Sequence, residues 1–177
     1  MPADWLRRGS VPLGSFSVFR LRSDRMVHPR TGREGEFFVL DAPDWVNVVA
    51  TTREGKVVLI EQYRHGTQRV TLEIPGGTVE EGEEPLAAGL RELAEETGFG
   101  GGSARLLGWC EPNPAIQSNR CWFVAAEGVA KVAECRLDEM EDIAVRLETL
   151  ARVPALIAAG DVRHALVIAA FARYFEG

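Results

Sequence analysis

GTVEEGEEPLAAGLRELAEETGF, residues 77–99, sets seven glutamates and one arginine around a leucine–alanine spine. Leucine and alanine favour helix, Pro85 suits a first helical turn, and Gly98 suits a stop. At about 100° per residue, Leu86, Leu90, Leu93 and Thr97 fall within about 60° of one another and form a core-facing stripe. Glu92 lies three residues from Glu95 and four from Glu96, so these carboxylates share a different face. Each like-charge pair costs only a few tenths of a kcal/mol. Repulsion alone therefore leaves a plain solvated face as an alternative. Arg91 can orient Glu92 or pair with Glu83, and Gly76-Gly77 lets backbone carbonyls approach whatever the carboxylates bind. Hard oxygen donors of this kind suit Mg²⁺ or Mn²⁺.

The flanking sequence is that of an ordinary globular chain. The 177 residues suffice for one domain, 1–177, with a real core. They are 46% hydrophobic and 26% charged. A net charge of -6 argues against bulk attraction to nucleic acid or to an anionic membrane. Cys110, Cys121 and Cys135 show no C-x-x-C spacing, and His28, His65 and His164 are scattered. A reduced cytoplasmic protein fits better than a disulfide scaffold or a zinc site. MPADWLRRGS lacks a signal-peptide core, and no apolar run reaches transmembrane length.

Alternation predicts strands over 16–22 and 36–41, joined by the turn HPRTG into an N-terminal antiparallel hairpin. A second hairpin spans 46–52 and 57–63, and a further strand at 69–74 stops at Pro75-Gly76-Gly77. GFGGGSA, 98–104, reads as a flexible turn without a dinucleotide fingerprint. Strands follow at 104–110, 121–126 and 142–148, the first two around a polar loop, EPNPAIQSNR. A short helix at 154–160 and a final one, capped by Asp161 and running through Tyr174, complete the chain. The fold class is α+β, a mixed sheet packed between helices.

Gly77, five residues, Glu83, seven residues, then Arg91-Glu92-Leu93-Ala94-Glu95-Glu96-Thr97-Gly98-Phe99 resembles the Nudix box at every specified position. Seven of those positions demand one amino acid, and chance agreement is on the order of 10⁻⁸ per window. The strand order on both sides also resembles that family. The resemblance implies an α/β/α sandwich that hydrolyses a nucleoside diphosphate linked to another moiety, using Mg²⁺ or, alternatively, Mn²⁺. By position it implies metal ligation by Glu92, Glu96 and the Gly76 carbonyl. Glu95 lies close to the same cluster, as a further ligand or a catalytic carboxylate, and Arg91 with Glu83 forms a supporting pair.

The flanking segments resemble the ADP-ribose pyrophosphatase, or nucleoside diphosphate sugar hydrolase, branch. Pro114 lies 16 residues after Gly98, EQYR ends on Arg64, and a hairpin spans 16–41. In that branch the hairpin crosses to a partner subunit, which implies a homodimer. LDEMEDIAVRLE, 137–148, places Glu139 and Glu141 where the branch carries a catalytic carboxylate and an additional metal ligand. Glu139 is the preferred base, although Glu141 and Glu95 remain open. Arg64, Thr78 and Asn119 are candidate substrate contacts, and Phe19 and Trp45, with Trp5, are candidates to stack on a base. Ala115 stands where many ADP-ribose enzymes have glycine, so GDP-mannose or another nucleotide sugar remains an alternative substrate. A non-catalytic nucleotide-sensing module is the alternative from a different class.

Overall fold

The computed structural model describes residues 1–176 and divides into two compact units. The first comprises Met1–Pro43 and Glu111–Arg120. It carries three antiparallel strands, β1 (Leu6–Ser15), β2 (Arg20–Val27) and β3 (Glu34–Asp41), in that spatial order. β1 is absent from the sequence reading because Gly9, Pro12 and Gly14 interrupt its alternation. The β1–β2 register shifts between Arg7 and Gly9 and again between Pro12 and Gly14, so the interruptions are bulges within a strand. The expected strand at 16–22 is also displaced. Phe16 N–H donates to the Phe19 carbonyl at 2.9 Å, which makes these residues the turn into β2.

Segment 111–120 is hooked onto β3. Leu40 N–H donates to Ile116 O at 2.8 Å, Ser118 N–H to Leu40 O at 3.2 Å, and the Ser118 hydroxyl to Asp41 Oδ1 at 2.7 Å. Arg22 pairs with both Asp24 and Asp41, satisfying a carboxylate in Asp24 that is 5% exposed.

The second unit comprises Asp44–Cys110 and the chain from Cys121 onward. Its strands are β4 (Trp45–Thr52), β5 (Lys56–Arg64), β6 (Arg69–Glu73), β7 (Gly76–Thr78), β8 (Phe99–Gly100), β9 (Ser103–Cys110), β10 (Cys121–Lys131) and β11 (Ile143–Thr149). Its helices are α1 (Pro85–Thr97), α2 (Val153–Ala159) and α3 (Ala165–Glu176). The sheet runs β11-β5-β4-β10-β8, with β6 on β5, β7 on β4 and β9 on β10. β4 and β10 are parallel and the other pairs antiparallel.

Strand alternation distributes the core between two faces. Val46, Val48 and Ala50 of β4 pack with Ala88 and Leu93 of α1. Val49 joins Leu59, Phe123, Leu156, Val167 and Phe171 against α2 and α3. β4 is therefore buried on both sides, and the expected helix–sheet–helix sandwich is realised.

β6 stops before Pro75 as expected, and Gly76-Gly77 then opens β7. Two local expectations change. Part of the supposed flexible turn is β8, paired with the end of β10 at Ala130↔Gly100. Asp161 does not cap α3: its N–H donates to Leu156 O at 2.9 Å and closes α2, whereas His164 O accepts from Ile168 N–H at the start of α3. Among the described residues no helix is long and apolar enough to cross a membrane.

Candidate active site

α1 begins with Pro85 in its first turn and ends at Gly98, whose φ of 67° is left-handed. A Cβ on Gly98 would stand 2.1 Å from Ala133 O, so glycine is required for space as well as for conformation. Leu93 and Thr97 are buried as the helical spacing predicts, but Leu90 is 37% exposed at the rim of the stripe. Gly89 takes the contact instead. A Cβ there would lie 3.0–3.2 Å from methyls of Val124, Val46 and Val48, so α1 rests directly on the sheet through a residue without a side chain.

This close seating buries Glu96 and half-buries Glu92 and Glu95. Glu96 is 4% exposed and accepts a hydrogen bond from Gly76 N–H at 2.9 Å. Burial pushes its carboxyl up to about 8; the Gly76 bond and Arg64 oppose the shift, while the charges of Glu92 and Glu141 add to it. Burial also raises Glu92, against the pull of Arg91. Glu92 lies over Gly77, where a Cβ would come within 2.4 Å of its carboxyl carbon. Arg91 grips Glu83 through Nε and Nη2, both at 3.0 Å, and turns Nη1 to Glu92 at 2.9 Å and Glu95 at 3.2 Å. The Arg91–Glu83 pair expected from sequence is thus formed.

Glu96 is buried and Glu92 half-buried, and both are pushed toward neutrality by burial and by neighbouring carboxylates, Glu92 and Glu141 acting on Glu96, and Glu95 and Glu141 on Glu92. A hard divalent cation supplies the charge they lack, so the donor set fits Mg²⁺ or Mn²⁺. Among the described residues no three histidine, cysteine, aspartate or glutamate side chains converge into a preformed cage. That suits an ion that keeps several waters and takes one or two carboxylates together with substrate phosphate.

On the neighbouring strands, the β5–β11 register ends at the Gln62–Ile143 pair, two residues before Arg64 on one strand and two after Glu141 on the other. The charge of Glu141 acts on Glu92, Glu96 and Arg64, so these residues share one electrostatic site. Its carboxylate accepts from Asp138 N–H at 3.1 Å, and Arg136 N–H ties the same loop to Glu95 O at 2.8 Å. Glu139 is exposed and makes no hydrogen bond or ion pair among the described residues.

Of the substrate candidates, Arg64 directs Nε and Nη2 onto Glu73 at 2.9 and 2.7 Å. Its Nη1 has no partner among the described residues. Thr78 is exposed and pairs with Trp45, which packs partly buried against the α2–α3 side of the core. In the first unit, Phe19 is half-buried against Phe16, Trp5 packs edge-on against His28 and Phe37, and Asn119 is 3% exposed. Asn119 Nδ2 donates to Pro43 O at 3.1 Å, and its buried Oδ1 has no partner among the described residues.

Sequence reasoning missed Glu73, at which Arg64, Thr71 and His164 meet. The signal was present: Arg69, Thr71 and Glu73 alternate with Val70, Leu72 and Ile74, which gives β6 a polar face.

A family model, the NUDIX domain, matches residues 43–171. The chain belongs to the NUDIX family. This Nudix protein is 33% identical over 132 residues to an ADP-ribose pyrophosphatase of Bacillus subtilis, covering 74% of this chain and 71% of that one. It is 34% identical over 128 residues to a methanol dehydrogenase activator of Bacillus methanolicus, covering 72% and 69%. An ADP-ribose pyrophosphatase of Mycobacterium tuberculosis is 26% identical over 165 residues, covering 90% and 78%. The fold matches the crystal structure of an ADP compounds hydrolase with a TM-score of 0.87 at 22% identity, covering 99% and 95% of the two chains. The protein is a Nudix hydrolase of the ADP-ribose pyrophosphatase branch.

Proposed function

We propose that this Nudix hydrolase cleaves the diphosphate linkage of ADP-ribose or a related nucleoside diphosphate sugar, releasing a nucleoside monophosphate and a sugar phosphate. The observation that carries the reading is the pair of buried Glu96 and half-buried Glu92, set on Gly76 and Gly77 in the family's own frame. The two ADP-ribose pyrophosphatases among its relatives support the substrate class.

A bound Mg²⁺ or Mn²⁺ would neutralise phosphate charge and acidify water, held by Glu92, Glu96 and the Gly76 backbone, with Glu95 and Glu141 beside them. The protein's own residues do the rest. Arg91 spans Glu83, Glu92 and Glu95 and fixes the acidic face against thermal spread. Arg64 offers Nη1 to an anionic substrate. Glu139, on the exposed loop, is the mobile carboxylate that takes the proton of the attacking water. Thr78, Asn119, Phe19 and Trp45 remain proposed substrate contacts.

The test is a panel of nucleoside diphosphate sugars incubated with Mg²⁺, scored by product. AMP and ribose 5-phosphate from ADP-ribose, abolished by chelator, is the expected result. Turnover undiminished in excess chelator would overturn the metal site. Cleavage of GDP-mannose in place of ADP-sugars would move the substrate to the alternative class.

A further inference from the structure

Glu73 is a glutamate in the core, 1% exposed, on a strand whose apolar neighbours are buried with it. Its carboxylate is approached by polar groups from three parts of the chain. Arg64 of β5 contributes its two-pronged grip, the Thr71 hydroxyl of β6 donates at 2.6 Å, and His164, at the threshold of α3, brings Nδ1 to 3.1 Å. His164 Nδ1 is buried and has no well-directed hydrogen bond, so Glu73 Oε2 is the polar atom it faces. The rest of the imidazole is partly open, with 38% of the side chain exposed.

The arginine so held is the one whose charge couples to the acidic site. Gripping Glu73 takes up Nε and Nη2 and leaves Nη1 without a partner among the described residues, while the guanidinium as a whole feels the charges of Glu96 and Glu141. A guanidinium on a flexible stem loses rotamer freedom when it binds an anion; anchoring it in advance removes that cost at the moment of binding.

We propose that Glu73 and His164 are positioning residues, with His164 completing the carboxylate's donor set so that Arg64 is held ready for the substrate's diphosphate. The role rests on the hydrolase reading above and deepens it, because it makes the seating of α3 part of substrate recognition. His164 acts only through Glu73, and Glu73 only through Arg64.

The experiment compares wild type, His164→Leu, His164→Asn and Glu73→Gln, each alone and in an Arg64→Lys background, by kcat and KM for ADP-ribose with Mg²⁺. Asparagine places an N–H near the position of Nδ1 and is itself a good helix N-cap, so it keeps the donor without disturbing α3. His164→Leu is expected to raise KM by at least about threefold, a modest share of one hydrogen bond to a charged group, with kcat nearly unchanged. His164→Asn should restore KM, and in the Arg64→Lys background His164→Leu should add nothing. An unchanged KM in His164→Leu, or the same fold-effect with Lys at position 64, would overturn the proposal.

A second readout needs no turnover. In ¹⁵N spectra the Arg64 Nε–H should be protected from exchange in wild type and His164→Asn, and lose that protection in Glu73→Gln. Rapid exchange in the folded wild type would overturn the proposal. If wild type hydrolyses no ADP-sugar but the Nε–H behaves as expected, it is the functional reading that fails and not the positioning.

Discussion

Burial alone would raise the pKa of Glu73, but His164, Arg64 and Thr71 outweigh it and hold the carboxyl well below the usual range. A carboxyl whose folded pKa is depressed contributes stability that is complete above its unfolded value near 4.5 and drains away as pH falls below it. Glu73→Gln should therefore destabilise the protein at pH 7, by less than the about 3–5 kcal/mol of a fully buried pair because Arg64 is partly exposed. The difference from wild type, read from urea midpoints at pH 7, 4.5 and 3, should shrink as pH drops below 4.5. A gap constant with pH would mean that Glu73 is not held low. The carboxylates of the acidic loop divide by a different criterion. Glu141 shares an electrostatic site with Glu92 and Glu96, whereas Glu139 is unengaged. A positioned base contributes about 10²–10⁴-fold, so Glu139→Gln should lower kcat by that order with little change in Mg²⁺ affinity. Glu141→Gln should weaken metal binding as well. Wild-type kcat in Glu139→Gln, measured against Mg²⁺ concentration, would move the base to Glu141 or Glu95.

The acidic site depends on how closely α1 lies on β7. Gly77 faces the Glu92 carboxylate so tightly that a Cβ would stand 2.4–2.6 Å from its three carboxyl atoms. Gly77→Ala must therefore displace that carboxylate, at the far end of a flexible side chain, more readily than the backbone. The expected outcome is Mg²⁺ affinity and kcat each down by at least about tenfold, as for losses around a metal shell, with thermal stability little changed. Equal losses of activity and of folding would instead place the damage in the strand. The glycine spacing made this legible in sequence, because Gly77, Glu83 and the Arg91–Phe99 run are local and each carries its own geometry. What escaped reading was non-local. Leu90 satisfies the helical period yet is exposed, since Gly89 lets the sheet take the neighbouring arc. β1 hides behind its bulges, and β7 is three residues whose pairing with β4 only the sheet reveals. His164 is unremarkable in sequence and acquires its partner through a contact 91 positions away.

At the scale of the molecule, the three-stranded N-terminal sheet carries more exposed apolar surface than a small sheet should. Trp5, Val11, Leu13, Phe16, Phe37 and Phe38 are each 42–59% exposed. The register puts Val11 and Phe38 on one face and Phe37, against Trp5, on the other. A short antiparallel sheet needs a face covered to be stable, and exposed apolar surface of this kind marks an interaction surface. We propose that the cover is the same sheet of a second copy, in keeping with the homodimer implied by the 16–41 hairpin. The paired surface would be isologous, so a single charged substitution appears twice in the interface and is doubly disruptive. Leu13→Asp and Phe38→Asp lie on the exposed sheet and remove no contact of the buried core in the second unit. Each should convert a dimer, sedimenting as such at micromolar concentration, into a monomer that keeps the wild-type circular dichroism of its helices. If the partner's sheet also contributes to the site, these monomers should lose most of their activity toward ADP-ribose. Retention of full activity by a monomer would confine the interface to assembly, and a wild-type protein that sediments as a fully active monomer would remove the dimer from the mechanism altogether.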